Sequence, residues 1–163
     1  DTKGDDSERL YAEMLQLVSK RSYEEALAHY GTHHGSFGGN AASALFAKGV
    51  AEFYLCRYAD SEKTMESLSA ADDLALRADA FFYRAFSRHN RLDFAGSIQG
   101  FREYLASGTS ADKEPIALFL LGEAYRETGD AKSAKDQYQL IIKRYPDDPF
   151  ATVAARQMKQ MQP

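Results

Sequence analysis

PIALFLLGEAYRETGDAKSAKDQYQLIIKRYPDD, residues 115–148, reads as two helices joined by a tight turn. Gly122 in the first helix and Ala134 in the second are small, the ring of Tyr138 follows Ala134 by four residues, and Gly129-Asp130-Ala131-Lys132-Ser133 lies between them. Where two antiparallel helices cross, a small residue lets the backbones approach and a neighbouring aromatic fills the groove. The segment is one helical hairpin.

Working outward, the same hairpin recurs. A mostly small residue stands in a first helix (Met14, Gly49, Ala85, Gly122), a small one early in a second (Ala26, Ser61, Ser97, Ala134), and a large one four residues later (Tyr30, Met65, Phe101, Tyr138). Each column advances by 35, 36 and 37 residues, so the distances within a unit are constant and the added residues fall between units. The intra-hairpin turns agree, with Ser22–Ala26, Arg57–Ser61 and Asp93–Ser97 at the offset of Gly129–Ala134. A lone hairpin buries little; stacking completes the core.

Leu118, Leu121-Gly122, Tyr125, Gly129-Asp130, Ala134, Tyr138 and Pro146 carry a resemblance to the tetratricopeptide repeat family that extends over about residues 7 to 148. The first unit departs where Met14 replaces a small residue and where His33 stands in place of an apolar one. The resemblance implies an all-α fold: a right-handed TPR superhelix, an α-α solenoid of four helix-turn-helix repeats plus a C-terminal capping helix. It makes residues 1–163 a single domain, with repeats at about 7–40, 42–75, 78–111 and 115–148 and the cap at 149–161. A narrower likeness lies in Phe101 with Tyr104-Leu105, in Tyr138 with Ile141-Ile142, and in the ending Lys143–Ala151. That ending resembles a segment of bacterial envelope TPR proteins such as the Tol-Pal-associated cell-division coordinator and the lipoprotein of the outer-membrane barrel assembly machine. It implies a periplasmic or envelope-associated protein; a cytoplasmic location is the alternative.

Helices are expected near 7–19, 23–31, 41–55, 58–69, 73–90, 94–106, 113–128, 131–144 and 149–161, with Ser7 as N-cap of the first. The last places Phe150, Val153, Ala154, Met158 and Met161 on one face, as a helix covering an apolar end should. Gly31–Asn40, with four glycines, two histidines and no aliphatic residue, is expected to be a mobile loop after a short helix, the alternative being a loop that orders on partner binding. Ser107–Glu114, with Gly108 and the Thr109-Ser110 pair, is the second loose connection.

The chain is 44% hydrophobic and 27% charged, within the range of ordinary globular proteins. Its richest apolar run, Ile116–Leu121, is bounded by Glu114 and Glu123, far short of the roughly 18 apolar residues of a membrane-spanning helix. The formal charge of −4, with Lys and Arg dispersed, lacks the basic footprint of a nucleic-acid binder. Cys56 is the sole cysteine and can form no internal disulfide; it reads as a small semi-buried apolar side chain. The opening at Asp1 shows neither a basic stretch nor an apolar run of an export leader, which leaves the compartment open.

Catalytic patterns are missing: no Gly-rich phosphate loop, no nucleophile with an orienting base, no zinc-protease helix. His29 and His33, four apart, could share a helical face toward a metal, but no third ligand is placed to join them, and with His34 they are expected to be solvent-exposed. Asp72-Asp73 and Asp147-Asp148 precede helices and are expected as caps, and His89 sits near a helix end. The expectation is therefore no catalytic residues, no cofactor and no metal.

In the tetratricopeptide family the first helix of each unit lines the concave surface, and the resemblance carries that role to Tyr11, Phe46, Phe82 and Phe119 in one column. Leu15, Val50, Phe86 and Glu123 follow in the next, with Phe53, Tyr54, Tyr83 and Arg126 nearby. An aromatic stripe at this spacing serves equally as core or as binding surface, and both readings stand. The cationic clamp of chaperone-binding members is replaced here by Tyr11, Leu15, Ala47, Asp79 and Tyr83, which cannot grip an acidic tail. The expected function is a non-enzymatic scaffold binding a protein or peptide segment in a concave aromatic groove, and the resemblance implies a setting in bacterial envelope assembly or cell-envelope machinery. A cytoplasmic adaptor or secretion chaperone is one alternative and a self-assembling homo-oligomer another.

Overall fold

A computed structural model describes residues 2–108 and 112–161; the Thr109-Ser110 pair lies outside them. Nine α-helices follow in order among these residues: α1 (Thr2–Ser19), α2 (Tyr23–His33), α3 (Ala41–Tyr54), α4 (Tyr58–Glu66), α5 (Leu74–Asn90), α6 (Phe94–Ser107), α7 (Glu114–Glu127), α8 (Ala131–Arg144) and α9 (Pro149–Gln160). A single 3-10 turn, Gly38–Asn40, precedes α3. Asp73, Asp93, Asp130 and Asp148 begin α5, α6, α8 and α9 by accepting hydrogen bonds from the orphan N–H groups of the first turn. The expectation that Asp73 and Asp148 act as caps is met.

The four hairpin turns share one geometry. A residue in the left-handed region closes each first helix: Arg21 (φ 60°), Cys56 (φ 59°), Leu92 (φ 63°) and Gly129 (φ 85°). The next residue returns its N–H to a carbonyl five positions back, Ser22 to Leu17, Arg57 to Glu52, Asp93 to Arg88 and Asp130 to Tyr125, at 2.8–2.9 Å. This six-to-one bond is the Schellman closure, where glycine is the favoured residue. Three of the four turns hold a side chain there instead, at a cost of about 1–2 kcal/mol each relative to a right-handed conformation.

Within the hairpins the small residues sit where the helices touch. A Cβ on Gly49 would lie 2.6 Å from Met65 Cε, one on Gly122 would lie 2.6 Å from Tyr138 Cε1, and one on Gly100 would lie 2.7 Å from Ala85 Cβ. In the first unit Met14 and Ala26 are both fully buried, so the large residue lies on α1 and the small one on α2. Each second helix packs on the next first helix, and α1, α3, α5, α7 and α9 also touch in sequence. Among the described residues the backbones of α2, α4, α6 and α8 stay apart from one another. The row in contact lies on the inside of the curve, the splayed row outside. At the C-terminal end Phe150, Ala151 and Ala154 of α9 pack with Leu118, Ala134, Tyr138 and Ile141, closing the last hairpin.

Four local expectations are corrected. First, α1 starts at Thr2, and Ser7 lies inside it with its hydroxyl donating to the Gly4 carbonyl at 3.0 Å, so it is no N-cap. Second, α4 ends at Glu66 instead of 69, and Leu68 in the following turn is buried. Third, the Gly31–Asn40 connection is pinned, not loose: Phe37 is only 1% exposed, stacks on Tyr30 with centroids 5.5 Å apart, and joins the core formed by Leu10, Met14 and Ala44. Fourth, Cys56 is exposed rather than semi-buried. No helix among the described residues is long and apolar enough to cross a membrane.

Candidate concave binding groove

Side chains three, four and seven apart share a helical face, and on the inner row those faces meet around an opening of about 310 Å³. Tyr11, Leu15 and Val18 of α1, Phe46, Ala47 and Val50 of α3, and Leu76, Asp79 and Tyr83 of α5 line it, with Lys113 at the entry to α7. Five of the residues expected in the groove, Tyr11, Leu15, Phe46, Val50 and Tyr83, therefore come together. Leu15 is 44% exposed, which leaves an aliphatic side chain facing solvent in the opening. Val18, Ser43, Leu76 and Lys113 were missed, although Val18 lies seven residues after Tyr11 on the same face and was legible in the spacing.

The remaining expected residues lie elsewhere. Phe82 is 4% exposed and packs against Phe101 (5.9 Å) and Tyr104 (5.3 Å), so it is core, and Tyr83 takes its place at the groove. Phe53, 8% exposed, is the hub of a ring cluster with Tyr54, Tyr58, Tyr83 and Phe86 at 4.8–5.5 Å between centroids. Phe86 is half-buried in that cluster, and Tyr54 is exposed while stacked on Tyr23 at 5.1 Å. Phe119 lies between Tyr138 (5.9 Å) and Phe150 (5.2 Å), half-buried under α9. Edge and stacked geometries of this kind orient the rings as well as burying them. Glu123 accepts hydrogen bonds from the Tyr138 hydroxyl and from Arg126, whose guanidinium also reaches Glu127.

At the groove, Lys113 Nζ lies 3.0 Å from Asp79 and 3.4 Å from Asp112. Burial pulls the ammonium down, but the hydrogen bond and charge of Asp79 outweigh it and hold Lys113 above the usual lysine value. Burial foremost, with Tyr54, Asp79 and Tyr23 nearby, pushes the Tyr83 hydroxyl well above its ordinary value, so it stays neutral and able to donate. On the outer side Arg84, almost fully buried, bonds both Glu66 and Glu103 and so ties α5 to α4 and α6.

Among the described residues no group of three His, Cys, Asp or Glu could hold a metal ion. The expectation that His29 is solvent-exposed is corrected: its ring is mostly buried and its Nε2 is 2.9 Å from the Leu10 carbonyl, holding α2 against α1. His33 is half-buried at 4.8 Å from His29, and His34 is exposed.

Residues 116–148 match the family model of the tetratricopeptide repeat. No curated protein matches the chain. Among solved structures it is similar to the TPR2AB domain of yeast Sti1 in its pHSP90 complex, with a TM-score of 0.56 and 18% identity over 89% of this chain. The match covers 66% of that solved chain. At this identity the likeness is one of fold: an all-α tetratricopeptide superhelix of four helical hairpins and a closing helix.

Proposed function

We propose that the protein is a non-enzymatic scaffold that holds a segment of another protein in the groove between α1, α3 and α5, within the assembly machinery of the bacterial cell envelope. The observation that carries the binding reading is the opening of about 310 Å³ walled by Tyr11, Leu15, Phe46, Val50 and Tyr83. Of these Leu15 is exposed, Tyr11, Phe46 and Tyr83 are half-buried and Val50 is buried; the apolar surface they leave in the concavity is what a partner covers with gain, because each Å² of apolar surface removed from water contributes about 25 cal/mol. The tetratricopeptide fold supports the same reading, since the similar solved domain is itself seen in a complex.

The envelope setting rests on Tyr145–Ala151, the segment that turns α8 into α9. Fractionation of cells of the native organism checks it: recovery with the periplasm or membranes supports the setting, and recovery with the cytosol alone overturns it. Binding is tested by placing a photo-crosslinking side chain at position 15 in the groove or at position 92 on a hairpin turn, where Leu92 is 73% exposed. Capture of a partner from position 15 and not from 92 is the expected result. Equal capture from both positions, or from 92 alone, would move the site off the inner row.

A further inference from the structure

The charges of the inner row restrict what the groove can hold. Glu8 lies three residues before Tyr11 and seven before Leu15, hence on the same face of α1, and it is exposed with no partner among the described residues. Beside the opening one cation, Lys113, serves two carboxylates, Asp79 at 3.0 Å and Asp112 at 3.4 Å. Farther along, Arg126 likewise serves two, Glu123 at 3.1 Å and Glu127 at 2.6 Å. Both cations are thus already engaged by carboxylates. An acidic segment would find no unpaired cation on this face among the described residues, and its carboxylates would meet like charges as water was expelled. A segment of apolar and basic side chains meets the reverse: apolar groups fill the opening, and Lys or Arg satisfies the carboxylates at its rim.

We infer that the partner segment is apolar and basic, with Lys or Arg flanking the side chains that enter the groove beside Leu15; the inference rests on the groove reading above. The cations settle near Glu8 and Asp79, while the apolar residues cover Tyr11, Leu15, Phe46 and Val50. Complementarity of this kind selects partners and speeds encounter more than it deepens affinity, and it weakens with salt.

The test uses the full chain and a displayed library of random peptides of about twelve residues, enough for roughly 40 Å of extended chain. Binders lost by Leu15→Ser are sequenced, and representative peptides are titrated against wild type and Glu8→Gln at low and high salt. The expected binders are enriched in apolar residues with Lys or Arg and depleted of Asp and Glu. Their affinity falls about tenfold across the salt range and a few-fold with Glu8→Gln, an exposed site whose change leaves the fold intact. Leu15-dependent binders rich in Asp or Glu, or indifferent to salt and to Glu8→Gln, would overturn the charge inference and leave the groove standing. A library that yields no Leu15-dependent binder would overturn the groove itself, and a concentration-dependent dimer with position 15 masked would make a second copy the occupant.

Discussion

The two ends of the inner row carry the same pattern and put it to different uses. Tyr11 and Phe46 stand at one position of the first two units and open onto the groove, whereas at the same position of the last two Phe82 is buried and Phe119 is half-buried beneath α9. Phe82 is covered because α6 brings Phe101 and Tyr104 against it, and Phe119 because α9 brings Phe150. A repeat column therefore specifies where on a helix a side chain leaves the backbone, and the neighbouring unit decides whether it meets water. The hairpin turns make the same point, since the left-handed position holds Gly129 in the last unit and Arg21, Cys56 and Leu92 in the others.

The sharpest way to break this contrast is Phe82→Ala. Truncating a buried Phe costs about 3–5 kcal/mol, and Phe82 is packed against Phe101 and Tyr104. Denaturant unfolding should show a loss of that order. A loss under about 1 kcal/mol, the range of a partly exposed ring, would mean that Phe82 faces the groove after all.

Next in size is Gly122→Leu. Because even a Cβ would stand 2.6 Å from the Tyr138 ring, the α7–α8 crossing must spread, costing about 1–3 kcal/mol or more. A melting temperature equal to wild type would refute the close crossing.

At the turns, Leu92→Gly should stabilise the protein. Relief of about 1–2 kcal/mol of left-handed strain exceeds the roughly 0.4–1 kcal/mol that glycine's unfolded-state freedom costs. Gly129→Ala should lose about 1 kcal/mol by the same reasoning in reverse. If both substitutions shift the unfolding midpoint in one direction, the shared turn geometry is wrong.

A smaller effect is expected at His89, where burial lowers the imidazole pKa below its ordinary 6.5 while Glu123 and Glu127 pull it upward. The unfolded chain then takes up a proton before the folded one does. Its contribution is fully present above about pH 6.5 and is lost as pH falls through that value toward the folded pKa. His89→Gln should flatten the stability profile below pH 6.5; an unchanged slope would show that His89 titrates normally.

The smallest expected stability change is at the groove itself. Leu15→Ala removes a side chain already 44% exposed, so unfolding should move by no more than about 0.5 kcal/mol while partner binding weakens. A large loss of stability at Leu15 would convert the opening from a binding surface into part of the core.

The succession of hairpins was written in local spacing, because the small residue at each crossing, the aspartate before a helix and the turn offset all act within one hairpin. The columns through Gly49, Gly122 and Tyr138, the caps at Asp73 and Asp148, and the amphipathic closing helix follow from that, as does the presence of Tyr11, Leu15, Phe46 and Val50 on one inner face. What local spacing does not contain is the identity of the atom across a gap from another unit. Phe37, in a glycine-rich loop, is covered by Tyr30 and the α1 core, and His29, expected to be exposed, meets the Leu10 carbonyl. Phe82 and Tyr83 are adjacent in the chain and point about 100° apart around α5, so their helical positions are known in advance. That one is core and the other wall depends on α6 packing against Phe82 while α3 covers Tyr83 only in part through Phe46 and Phe53, and that is a property of the stack rather than of any single hairpin.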